Sequence, residues 1–373
     1  MTRLLKHLTF LFLLQLIHCN LFAQRGYDGI FENHFFGYYP SARMEAMGRG
    51  FVSVEGDPNS YFVNPAALGT LQGLSLTGGI ANNYHGAEDP QNKFLSASYN
   101  FKKIGTIGVS RDYSDLGSIN FHYSPSGRIQ YTPYYETYRL SYARELFKDF
   151  WGGFNLGLFH YNENGGKLEE YGIPDINDNV FMLDIGLLKK IVMVKGDYDM
   201  DVDLAFSVFN LNQGSLEFNP YDIESELPVI SRLGASYDLR LNIPGSPWNT
   251  TFLKILYTLE YQEVLNATFY DGIKTGLELT LFEIFSLRGG FYALNNERVS
   301  SIEGWRYGNI NEFTFGLGVI VPFKTIGVTK IPFTVKFDAA IMPQPAYITQ
   351  RPTVAEENYK NINIFNLIAN IQF

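Results

Sequence analysis

The chain alternates. In "NEFTFGLGVIV", Phe313, Phe315, Leu317, Val319 and Val321 fall on one face, and Glu312, Thr314, Gly316 and Gly318 on the other. "IPFTVKFDAAI" repeats the pattern, with Phe333, Val335, Phe337, Ala339 and Ile341 opposite Thr334, Lys336 and Asp338. "TFLKILYTLEY" sets Leu253, Ile255, Tyr257, Leu259 and Tyr261 against Lys254, Thr258 and Glu260. A strand points successive side chains to opposite faces, so each segment has an apolar side and a polar side. Fourteen such segments occur, at roughly 71–81, 93–101, 104–121, 135–145, 151–162, 179–188, 200–209, 228–238, 251–262, 272–281, 284–294, 311–321, 331–342 and 363–373. The third is ambiguous, because Asp112 to Gly117 could split it in two. A β-sandwich also alternates, but its strands usually run to about five or six residues. Many here are ten or longer.

Connection lengths supply a second signal. The turns at 102–103, 146–150 and 282–283 are short, whereas 163–178, 210–227, 295–310 and 343–362 are long, and the two kinds mostly fall on opposite sides. An even strand count with short periplasmic turns and long outer loops predicts an all-β fold, a 14-stranded antiparallel transmembrane outer-membrane β-barrel. In "NINIFNLIANIQF", Phe365, Leu367, Ala369, Ile371 and Phe373 share a face, and a terminal aromatic such as Phe373 suits an interfacial girdle.

Composition agrees. Charged residues make up only 18% and aromatics 16%, with 31 Phe and 25 Tyr, against about a quarter charged in ordinary soluble domains. After the first residues there is no apolar run long enough for a membrane helix, which leaves a closed barrel as the way to span lipid. The chain opens "MTRLLKHLTFLFLLQLIHCNLFAQ", with Arg3 and Lys6 ahead of an apolar core, and is expected to be a secretory signal over 1–23. Cys19 offers a lipoprotein alternative, disfavoured by the bulky His18 before it. Cleavage after Ala23 removes the only cysteine and takes the formal charge from -9 to about -11, which argues against a nucleic-acid partner.

The polar face carries both signs of charge: Arg139, Asp201, Asp203, Arg232, Lys254, Glu260, Lys274, Glu278, Lys336 and Asp338 are the candidate lumen residues. Fourteen strands enclose more space than such side chains fill, so water or an inward-folded segment must occupy the rest. Internal ion pairs are the simpler account of these charges, and a polar conduction path is the other. No catalytic constellation stands out, and neither cofactor nor metal is expected. His160 falls on the apolar side of "FNLGLFHY" as an interfacial ring, and His85 stands alone in a loop. The run Asp197, Asp199, Asp201 and Asp203 lacks the spacing of a calcium loop.

Residues 24–70, ahead of a barrel over 71–373, carry helix-capping signals. Ser41 can cap a short helix over "ARMEAM" that ends at Gly48. Asp57–Pro58 and Asn64–Pro65 each place a capping oxygen before a proline at the first helical position, and "NPAALG" predicts a single turn closed by Gly69. Such brief helices need a wall to pack against. The expectation is an internal plug or hatch, with a free periplasmic arm as the competing possibility.

"ARMEAMGRGFVSVEGDPNSYFVNPAALG" also resembles the N-terminal signature of PorV/PorQ-type outer-membrane proteins, which belong with the FadL-like long-chain fatty-acid transporters. The resemblance is carried by Ala42, Met47, Gly48, Asp57, Asn64, Pro65 and Ala66. Gly56–Asp57–Pro58 departs from the acidic pair that often stands there. The resemblance implies a fourteen-stranded barrel with its N-terminal segment folded inside. PorV/PorQ-like members serve the type IX secretion system of Bacteroidetes, and FadL-like members move hydrophobic compounds. It therefore implies first a non-enzymatic barrel interacting with secretion machinery or secreted cargo. The long segment 343–362 suits that reading. The alternative is a channel for long-chain fatty acids or other hydrophobic small molecules, for which the aromatic stretch from Arg128 to Tyr138 could form an entry groove. Outer-membrane lipid and lipopolysaccharide are expected neighbours in either case.

Overall fold

The structure, a computed structural model, describes residues 35–36, 39–82, 91–115, 117–122, 127–163, 165–172, 175–196, 198–218, 223–242, 251–296, 306–307, 309–324, 327, 332–342, 348–350 and 362–371. The expected signal over 1–23, His85, Asp197 and Phe373 lie outside the described residues.

Fourteen antiparallel strands close into one barrel. They are β1 Leu74–Asn82, β2 Gln91–Asn100, β3 Thr106–Asp115, β4 Tyr134–Phe147, β5 Phe150–Asn162, β6 Asn177–Val194 and β7 Tyr198–Phe209. The circuit continues with β8 Ile230–Asn242, β9 Thr251–Val264, β10 Gly272–Leu281, β11 Phe285–Leu294, β12 Ile310–Pro322, β13 Phe333–Met342 and β14 Ile362–Ile371. Each strand pairs with its sequence neighbours, and β1 pairs with β14, Gly78 opposite Leu367, so no open edge remains. Closure satisfies every ladder hydrogen bond within the protein, and only then can a sheet cross hydrocarbon.

The alternation observed in the sequence now has a direction. On β12, Phe313 and Leu317 are 63% and 60% exposed while Thr314 between them is fully buried. The outward row is apolar because its surroundings are lipid. Aromatic pairs ring the end that carries the short turns: Tyr99 with Phe101, Phe147 with Phe150, Phe252 with Phe282, and Phe323 with Phe333, with centroids 4.5–5.9 Å apart. Aromatic rings at such a boundary anchor a barrel at the lipid–water interface. Closed sheet, apolar belt and girdle together place the protein in the outer membrane of a Gram-negative bacterium, with the short turns periplasmic.

One strand differs from expectation. The third segment does not run to 121: β3 stops at Asp115, and Ile119–His122 pairs instead with Arg128–Tyr131 in a separate outer hairpin. Alternation continues through this hairpin because it too is a two-faced ribbon, so periodicity alone could not mark where the barrel ends. A second outer hairpin joins Ser215–Phe218 to Ile223–Glu226.

Candidate functional site

The lumen is occupied by residues 39–71, and most of this segment is buried. Its local shape follows from its capping residues. The Ser41 hydroxyl accepts a hydrogen bond from the Met44 amide at 3.4 Å and caps α1, Ala42–Ala46. Gly48 then adopts φ 60°, which ends the helix. Asn64 caps a 3-10 helix over Pro65–Thr70; its Oδ1 accepts from the Ala66 amide at 3.0 Å, with Pro65 at the first position. The arm is therefore a plug, with an apolar centre of its own that includes Met44, Met47, Phe51, Tyr61 and Leu68.

Two details of the capping scheme are corrected. Asp57 caps no helix. Its Oδ1 accepts from the Asn59 amide at 3.0 Å in a local turn, while its Oδ2 receives Arg43 at 3.0 Å. The following 3-10 helix begins only at Ser60 and has no side-chain cap. Gly69 does not close the Asn64 turn, because it lies inside the 3-10 helix. Glycine is required there by proximity, since a β-carbon would stand 2.7 Å from the Trp151 ring.

The plug touches the wall backbone to backbone because the wall is thinned at the contacts. A β-carbon on Gly276 would overlap the Met47 carbonyl oxygen, and one on Gly186 the Asn64 side chain. Above and below these contacts charged groups interlock. Arg43 forks onto Glu278, with Nε and Nη2 donating to the two carboxylate oxygens at 2.8 and 2.7 Å. Glu278 also receives Arg288, which donates in turn to Asp338 at 2.7 Å, and Lys336 reaches Asp338 at 3.3 Å. Burial alone would lower the Arg43 pKa, but Glu278 and then Asp57 more than reverse this, so the guanidinium is held charged. On the next wall section, Lys274 donates to the Tyr39 hydroxyl (2.7 Å), Gln262 (2.6 Å) and Glu260 (3.1 Å). The second Glu260 oxygen accepts the Phe51 and Val52 amides, each at 2.9 Å. Within the plug, Arg49 pairs with Glu45 at 2.8 Å and lies over the Tyr292 ring at 4.7 Å.

The candidate lumen residues all lie on the inward face. Lys274, Glu278, Glu260, Lys336 and Asp338 join the network just described. Arg139 pairs with Asp112 and approaches Asp184 at 3.7 Å. Near the periplasmic mouth, Lys190 bridges Glu55 of the plug (2.6 Å) and Asp201 (3.3 Å). Lys254 and Arg240 hold Asp238 at 2.9 and 3.0 Å. Asp203 accepts from the Ser236 hydroxyl at 3.3 Å. Among the described residues no group of three or more His, Cys, Asp or Glu is placed to hold a metal ion. The plug charges Arg43, Glu45 and Arg49 are not among the candidate lumen residues; charged residues inside a run of small residues and caps are the sequence signal for them.

The extracellular half of the lumen is different in kind. Where the inward row climbs past the ion pairs it turns apolar: Gly153, Asn155 and Gly157 give way to Phe159 and Tyr161 on β5, and Lys336 and Asp338 to Ala340 and Met342 on β13. Tyr135, Val180, Met182, Tyr292 and Ile364 continue this lining around the barrel, and Phe35 and Phe36 pack into it, Phe36 stacking on Tyr270 at 4.3 Å. At the boundary between the layers, between Phe35, Phe62 and Arg232, a residual cavity of about 10 Å³ remains, which is room for about one water. Arg232 is buried there, over the Phe209 ring at 4.9 Å and 3.8 Å from Glu260. Its Nε and Nη1, and the Nε of Arg139, have no hydrogen-bond partner among the described residues.

No protein-family model matches the chain, and neither does any curated protein. Among solved structures it is similar to a Pseudomonas aeruginosa FadL homologue, at 11% identity over 88% of this chain and 98% of that one, with a TM-score of 0.42. It is also similar to the Pseudomonas putida toluene transporter TodX, at 10% identity over 89% and 96%, with a TM-score of 0.45. For the Ralstonia pickettii toluene transporter TbuX the values are 11%, 90%, 98% and 0.43. The fold assignment rests on the strand order above, not on these likenesses.

Proposed function

We propose that the protein is a plugged outer-membrane channel for hydrophobic small molecules, with long-chain fatty acids the favoured class. The observation that carries this reading is the apolar, aromatic lining of the extracellular half of the lumen. A diffusion pore for hydrophilic solutes keeps a polar, water-filled interior, whereas a packed apolar lining favours a hydrophobic solute that parts its side chains. The floor of this apolar layer adds selectivity. Arg232 offers unpaired donors at the boundary with the ionic layer, a place where a carboxylate head finds a charge-assisted partner and an acyl chain finds apolar walls. Onward passage needs part of the plug to move. The section from 53 to 71 is the better candidate, because its ion pair with the wall, Glu55 to Lys190, is partly exposed, whereas the section from 39 to 52 holds Glu278 and Glu260 of the wall through buried charged contacts.

The test is uptake of radiolabelled oleate and of toluene by Gram-negative cells carrying the protein, against cells carrying an unrelated barrel. Oleate uptake is expected to rise severalfold; Arg232→Met is expected to cut the oleate gain and spare toluene. A folded, surface-located protein with no gain for either compound contradicts the reading.

A second reading, a type IX secretion component that handles secreted cargo or machinery, draws its support from the sequence resemblance across Ala42 to Ala66. The residues that carry the resemblance, Ala42, Met47, Gly48, Asp57, Asn64, Pro65 and Ala66, are buried in the lumen, so they offer no surface to a partner. Secretion-machinery subunits co-purifying from the native membrane in mild detergent would favour it.

A further inference from the structure

One sector of the lipid-facing wall departs from the rest. Around β12 the outward row is apolar for its whole length, from Phe313 through Val321. Over β14, β1, β2, β3 and β4 it is not. The register sets Leu367, Gly78, Leu95, Arg111 and Tyr138 side by side in one row. The next row toward the extracellular end is Phe365, Ile80, Lys93, Tyr113 and Glu136. Two cations thus stand on the outer surface of the barrel. Arg111 is four residues from Ile107 near the periplasmic rim, or about 13 Å along the strand, which puts it within an apolar belt about 25 Å tall. Cations at that depth are costly unless something pairs with them. Arg111 has Glu136, with Tyr113 5.5 Å from its guanidinium, yet keeps 45% of its side chain exposed. Lys93 is exposed and has no ion-pair partner among the described residues.

Beside this pair the wall is dented. Gly78 puts no side chain between Leu95 and Leu367, and Ala97 and Ala369 flank Leu76 one row lower. The result is two contiguous apolar grooves of about 770 and 400 Å³ that share Gly78, Leu95, Arg111 and Leu367.

We propose that this face is a binding site for a phosphorylated, acylated lipid of the outer leaflet, the lipid A part of lipopolysaccharide. Its phosphate sits between the Lys93 ammonium and the Arg111 guanidinium, and acyl chains lie in the grooves. Arg111 is held by Glu136, and Asp115 stands one row above Lys93. The Lys93 ammonium has no ion-pair partner among the described residues and is the charge a phosphate would neutralise; an arginine fork with an adjacent lysine is well matched to phosphate oxygens. In the larger groove Arg111 stands at the extracellular end, with Lys93 one row above it, and Leu76, Ala97, Val109 and Ala369 lie toward the periplasm, so the lipid lies with its head group outward.

The test titrates the full mature chain in mild detergent with bis-phosphorylated lipid A, with dephosphorylated lipid A and with phosphatidylglycerol, and reads bound lipid by native mass spectrometry. One lipid A is expected to be retained, and at least tenfold more weakly by K93Q/R111Q. Lys93→Gln alone, which breaks no ion pair, is expected to weaken it at least threefold, and Gly78→Leu, which fills the dent, by a similar factor. Heat-modifiable migration on gels confirms that each variant is folded. Lipid A retained by Lys93→Gln as tightly as by the unaltered chain overturns the proposal. So does equal retention of dephosphorylated lipid A or of phosphatidylglycerol.

Discussion

Gly290 in the wall and Gly48 in the plug lie backbone against backbone: a β-carbon on Gly290 would overlap the Gly48 amide nitrogen. Gly290→Ala is therefore expected to push Met47 and Gly48 off the wall, an overpacking cost of about 1–3 kcal/mol. It should show as new cleavage between 42 and 57 under limited proteolysis in membranes. Gly289→Ala is the control, because Gly289 points to lipid and its β-carbon would meet nothing nearer than Phe315 at 3.9 Å. Equal cleavage in both variants would mean the plug does not rest on Gly290.

Glu278 is shared by Arg43 of the plug and Arg288 of the wall. Glu278→Ala leaves both guanidinium groups without their common partner, and breaking a buried pair in this way costs about 3–5 kcal/mol. Arg43→Met, made together with Asp57→Asn so that no carboxylate is stranded within the plug, is expected to cost less, since Glu278 keeps Arg288. Denaturant midpoints of the refolded barrels compare the two, and a larger loss for the double variant would contradict the shared-carboxylate account.

Asn64 does more than cap. Besides accepting from Ala66, its Nδ2 donates to the Val52 and Leu187 carbonyls at 2.8 and 3.1 Å, tying two parts of the plug to β6. Asn64→Ala loses about 1 kcal/mol of capping and strands two carbonyls, about 1–3 kcal/mol more. Proteolysis near 57–69 should rise while the barrel stays folded. Asn64→Asp keeps the capping oxygen but turns a buried carboxylate oxygen onto the two carbonyls, so its cleavage should be at least that of Asn64→Ala.

Lys190 and Glu55 form the plug's ion pair at the periplasmic mouth, and 17% and 20% of their side chains remain exposed. Partial exposure limits its worth to about 1 kcal/mol or less, and salt screens it. Lys190→Gln is expected to raise cleavage slightly at low salt and not at all at high salt. The Glu278→Ala effect should persist at both.

The barrel was legible because lipid favours apolar residues on the outward face of most strands, as at Phe313, Phe315 and Leu317. The boundary at Asp115 was legible only as the possible split at Asp112 to Gly117, since the outer hairpin obeys the same period. Caps at Ser41 and Asn64 are local and could be recognised from neighbouring residues. The Arg43–Glu278 pair joins residues 235 apart in the chain, and only the strand register and the rotation of the plug bring them together. The apolar layer of the lumen announced itself only as a lapse in alternation: in "GLFHY" both faces of β5 become apolar or aromatic, because Phe159 and Tyr161 line the lumen while Leu158 faces lipid. A lapse of that kind at the outer ends of several strands is the trace such a layer leaves.

Hydrogen exchange of the membrane-embedded protein, read by mass spectrometry peptide by peptide, tests the central claim that residues 39–71 are a packed plug. Amides from 42 to 69 are expected to be protected to the same order as those of β9 and β10, with 39–52 slower than 53–71. Exchange of the whole segment within seconds, with the barrel strands still protected, would show a free arm and contradict the account.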